Sequence, residues 1–84
     1  MLISELHHTQ FDKFARIFEL VIERKNSNSP AAVTRKMTTH LAYFRRRGFC
    51  GAEIVREATS ILELYGPERG RAYIEKMRKR RRES

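Results

Sequence analysis

Apolar residues recur along this chain at helical spacing, with no sustained alternation of the kind a strand needs. Phe11, Phe14, Phe18 and Val21 follow one another at steps of 3, 4 and 3, which puts them on one helix face. Ile17, Leu20 and Ile22 broaden that face. The pattern predicts a first helix over about residues 4–25, or from Thr9 if Thr9 and Asp12 act as a capping box. Asn26-Ser27-Asn28 is a polar breaker. Ser29 is then a good N-cap and Pro30 fits the first helical position, where a missing N–H does no harm. This predicts a second helix from Pro30 to about Arg47, stopped by Gly48, with Val33, Met37, His40, Leu41 and Phe44 facing inward.

A third helix is expected over about residues 52–65. Ile54, Ala58, Ile61 and Tyr65 lie on its inner face, and Val55 and Leu62 extend that face. Gly66-Pro67 ends it, since glycine suits a left-handed cap and proline cannot continue the helix. Pro67 opens a fourth helix in which Tyr73, Ile74 and Met77 are the sizeable apolar residues. The expectation is an all-α, compact four-helix domain spanning residues 1–84. Every residue from Arg78 to Arg82 is basic, and repulsion between like charges one turn apart predicts fraying over residues 76–84.

Size changes this picture in one respect. An 84-residue domain buries too little surface to be more than marginally stable. Cys50 is the only cysteine, so no internal disulfide can help. The broad face of the first helix (Phe11, Phe14, Phe18, Val21) is therefore expected to serve as core and as the seam of a homodimer, formed through the first helix or through the first and third. Nothing near Met1 reads as a secretory signal and no apolar run is long enough for a membrane helix, so the expected location is the cytoplasm, without membrane contact.

Charge adds a function. The chain carries 18 basic and 10 acidic side chains, a net of +8, and the excess is blocked rather than scattered. Residues 1–34 sum to zero, 35–47 to +5 without a single acid, 48–68 to −3, and 69–84 to +6. A basic excess of this size attracts polyanions. A merely solvated helix face would usually mix both signs, and the second helix has no acid at all. Arginine and lysine hold phosphates, arginine can also fork onto guanine, and threonine can bond bases or phosphates. Arg35, Lys36, Thr39, Tyr43, Arg45, Arg46 and Arg47 are therefore candidate nucleic-acid contacts. Arg78, Lys79, Arg80, Arg81 and Arg82 form a second candidate set of sequence-independent contacts.

The glycine-bearing break at Gly48–Gly51 suggests a helix-turn-helix, but Phe44 stands where a small residue is expected and the following helix is mostly acidic. The second helix is thus the better reading element. His7, His8, His40 and Cys50 lack metal-ligand spacing, and no nucleophile, carboxylate-pair or phosphate-loop pattern is present, so no metal, cofactor or enzymatic activity is expected.

Arg47-Gly48-Phe49, with Ile54 and Ala72-Tyr73-Ile74, resembles the helical repeats of the RecX family of RecA-filament modulators over part of the chain. Gly66-Pro67-Glu68-Arg69 departs from the acidic loop of that pattern, and no function is carried over from it. The expected function is that of a small nucleic-acid-binding regulatory or accessory protein, DNA favoured over RNA, of the kind that acts in transcription regulation. The alternative is an adaptor or inhibitor whose arginines dock an acidic surface of a larger nucleic-acid-processing machine.

Overall fold

The structure, a computed structural model, describes residues 2–83. Among them are three α-helices and no strand: α1 (Phe11–Asn26), α2 (Pro30–Arg45) and α3 (Gly51–Glu83). Two short 3-10 turns, Leu2–Glu5 and His8–Gln10, precede α1. The expected count of four helices is corrected. The third and fourth are one element, because no residue intervenes between them except Gly66, the single non-helical position in α3. Its φ of 79° and ψ of 177° suit glycine alone, and Pro67 resumes the helix at once. α3 is therefore sharply bent, and the segments on either side of Gly66 both pack on α1.

The centre of the predicted α1 face is buried, with Leu20 and Ile22 partly buried at its edges. Phe11, Phe14, Ile17 and Phe18 are 0% exposed, and Val21 is 4% exposed. They meet Val33, Met37, Leu41 and Phe44 of α2 and Ile54, Ala58, Ile61, Leu62 and Ile74 of α3. A buried phenylalanine contributes roughly 2–3 kcal/mol relative to an exposed one. Ile3 and Leu6, fully buried from the segment before α1, complete this core. The buried part of the α1 face is thus filled by the chain's own residues, and a homodimer is not shown.

Several local expectations change. α1 begins at Phe11, not near Ser4 or Thr9, because the chain caps itself earlier. The backbone N–H of His7 donates to Gln10 Oε1 at 2.8 Å, and His7 Nδ1 lies 2.9 Å from Thr9 Oγ1. Ser29 stands at the N-cap of α2 without a side-chain cap bond, its own N–H donating instead to Ser27 Oγ at 2.9 Å. α2 ends at Arg45 in a Schellman motif. Gly48 adopts φ 88°, its N–H donates to Arg45 O at 3.1 Å, and the N–H of Phe49 donates to Phe44 O at 3.0 Å. The Phe44 and Phe49 rings pack edge to face across this cap, 5.8 Å between centroids. Tyr65, expected in the core, lies 41% exposed beside the bend and stacks on Tyr73.

α3 runs as a helix to Glu83. Its cations are tied down on one side. Arg71 grips Glu19 of α1 in a two-bond fork of 2.5 and 2.8 Å. Arg78 pairs with Glu75, and Arg81 Nε donates to Leu6 O at 2.9 Å. Gly70 allows this approach, because a Cβ there would collide with the Phe18 ring.

Candidate nucleic-acid interface

α2 buries only the stripe Val33, Met37, Leu41 and Phe44. Around the rest of its circumference Arg35, Lys36, Thr38, Thr39, Arg45 and Arg46 are exposed, and just beyond its end so is Arg47. On a helix of 100° per residue, Arg35, Thr39 and Arg46 point directly away from that stripe. Lys36, Tyr43 and Arg47 lean to the α1 side, and Arg45 to the other.

The predicted residues differ in how free they are. Arg35 and Arg46 have no ion pair or hydrogen-bonded side-chain partner among the described residues. Lys36 reaches Glu23 of α1 at 3.4 Å, a weak exposed pair. Arg45 folds back over the start of α3, its Nε standing 3.0 Å from where a Cβ on Gly51 would be. Tyr43, expected to meet a sugar or base, is already engaged. The Arg47 guanidinium covers its ring 3.7 Å from the centroid, and the same arginine donates to Tyr43 O at 2.9 Å. Lys13 Nζ lies 5.6 Å from that ring. Tyr43 thus acts as a platform that holds two cations together.

That platform brings in residues that counting by segment had hidden. Lys13 and Arg16 belong to a stretch of zero net charge, yet α1 turns them toward α2. Arg16, Glu19, Leu20, Lys36, Thr39 and His40 line a shallow groove between the two helices. Of the acids in the same stretch, Glu19 lines this groove as well and Glu23 meets Lys36 of α2. Asp12 and Glu19 border the α1–α3 side, where Arg71 and Arg78 lie. At about 100° per residue, Asp12 and Glu19 stand almost in line on α1, Arg16 lies between them and Lys13, and Lys13 is the cation turned furthest from those acids. Beside Arg71, Glu19 is held below the usual carboxylate range, chiefly by the hydrogen bonds it accepts. The pKa of His40 is also lowered, first by burial and then by Lys13 and Arg16.

The second predicted set divides. Arg81 ties α3 to Leu6 O and Arg78 is paired within the helix to Glu75, whereas Lys79, Arg80 and Arg82 are exposed. Neither set approaches a cluster of three metal-ligating side chains among the described residues. No helix there is long and apolar enough to cross a membrane. No protein-family model matches the chain, and neither a curated protein nor a solved structure matches it.

Proposed function

We propose that this protein binds nucleic acid, duplex DNA in preference to RNA, with the exposed side of α2 as its principal contact, in a regulatory or accessory role. The observation that supports the reading is that α2 exposes most of its circumference with no acid on it, while Lys13 and Arg16 of α1 extend its positive surface along one flank. A helix so exposed has the shape that enters the wide major groove of B-form DNA. The deep, narrow major groove of A-form RNA does not admit one. Arg35 and Arg46 then face base edges, and Lys36 and Arg47 face phosphates, with Lys13, Arg16 and Thr39 beside them.

Binding to labelled DNA and RNA duplexes across a salt series tests this. Five or six phosphate contacts give a slope of about −5 in log K against log salt for duplex DNA. Absence of binding at about 50 mM salt, or binding indifferent to salt, rejects the reading. A partner retained from lysate after nuclease digestion would instead favour an acidic protein surface as the ligand of the same arginines.

A further inference from the structure

The α1–α2 groove carries more than positive charge. Among the described threonines, Thr34, Thr38 and Thr59 donate their hydroxyls to backbone carbonyls four residues back, and Thr9 bonds to His7. Thr39 alone makes no such bond, and it lines the groove. His40 lies beside it with Nδ1 buried and unpartnered, which leaves Nε2 as the ring nitrogen a ligand can reach. Arg16 faces both from α1. The acids nearby are already engaged. Glu19 lines the groove too, with both its oxygens accepting from Arg71 of α3, and Glu23 holds Lys36 only at 3.4 Å.

We infer that this groove is a seat for one phosphate group, held by the Arg16 guanidinium, the Thr39 hydroxyl and the His40 ring N–H, with Lys13 and Lys36 as flanking charges. A phosphate oxygen needs several charge-assisted donors converging from fixed positions, and here they come from two helices locked together by the core beneath them. Resting on the nucleic-acid reading above, the inference identifies the ligand as a backbone phosphate ester; free inorganic phosphate offers the same chemistry. A bound phosphate also acts on His40. The groups facing that ring are Lys13, Arg16, Glu19 and Lys36, and an added anion offsets the cations that disfavour its protonation. The His40 pKa therefore rises when the seat is filled.

The experiment follows the His40 ring signals by NMR while the protein is titrated with sodium phosphate against sodium chloride of matched ionic strength, then with a short DNA duplex. The wild type is compared with Arg16→Gln and Thr39→Val, both exposed positions whose replacement leaves the core intact. The expected result is a phosphate-specific shift and a raised His40 pKa, both lost in Arg16→Gln. Duplex affinity falls about tenfold in Arg16→Gln and about threefold in Thr39→Val. Duplex binding with unmoved His40 signals and an unchanged Arg16→Gln affinity overturns the seat and leaves the nucleic-acid reading standing. A phosphate response without duplex binding overturns that reading and upholds the seat for free phosphate. Silence toward both ligands overturns both.

Discussion

The two basic blocks of this chain look alike in the sequence and do different work in the fold. In residues 69–83, Arg71 and Arg81 latch α3 to the segments before it, and Arg78 is held within the helix. Arg71 forks onto Glu19, Arg78 pairs with Glu75, and Arg81 donates to Leu6 O. In residues 35–47, Arg35 and Arg46 point outward, and Arg47 covers Tyr43 on a flank that Lys13 joins from α1. A run of positive charge thus has no single meaning. What decides it is whether the neighbouring helix turns an acid or a carbonyl toward it. α1 does both: Glu19, at the edge of the α2 groove, is forked by Arg71 of α3, while Lys13 and Arg16 reach the α2 side.

This contrast can be broken most forcibly at Gly70. A larger side chain there collides with the Phe18 ring and lifts the latched segment from α1. Gly70→Val is expected to lose about 3 kcal/mol of stability in urea unfolding, a large share of what so small a domain has. The cap that ends α2 comes next. Gly48 sits at φ 88° with open space around it, so Gly48→Ala brings only backbone strain, about 1 kcal/mol by the same measurement. Its sharper effect is to disturb the turn that positions Arg46 and Arg47.

The smallest effect belongs to the latch itself. Glu19 and Arg71 are each about half exposed, at 48%, so solvent screening limits Glu19→Gln to under about 1 kcal/mol. Its pH dependence identifies it. The folded-state pKa of Glu19 is depressed by Arg71, so its contribution is present above the ordinary carboxylate pKa and lost as pH falls through the depressed value. Unfolding curves of the wild type and Glu19→Gln therefore differ near neutrality and converge in acid. A constant gap down to strongly acidic pH would show that the fork contributes through something other than charge.

Much of the fold was legible because helical periodicity reports burial directly. The Phe11, Phe14, Phe18 and Val21 stripe, and the Val33, Met37, Leu41 and Phe44 stripe, are the centre of the core. Ile3 and Leu6 escaped notice because they lie in a 3-10 turn and the bend after it, where no 3.6-residue period marks them. Gly66-Pro67 announced a break, yet whether a break separates two helices or bends one depends on how few residues it uses, and here it uses one. Tyr65 was misplaced because its position beside that bend leaves the helix face the period assigns to it.

The candidate interface was half legible. The acid-free run of α2 named Arg35, Lys36, Arg46 and Arg47, since absence of one sign is a property of sequence. Lys13 and Arg16 were not named, because Asp12 and Glu19 cancel them in any count along the chain and only three-dimensional packing separates the signs. The division of the C-terminal block into latches and free cations was equally out of reach. Arg81 finds its carbonyl 75 residues away.

The most direct test sets the two blocks against each other by fluorescence anisotropy with duplex DNA over a salt series. Arg35→Gln/Arg46→Gln is compared with Arg71→Gln/Arg78→Gln, which removes the same amount of charge. The first pair is expected to weaken binding by about 30-fold and to reduce the salt slope by up to about 2. The second is expected to lower the unfolding midpoint while leaving affinity within about threefold. Equal loss of affinity from both pairs, or undiminished binding by the first, would contradict the assignment of the interface to α2.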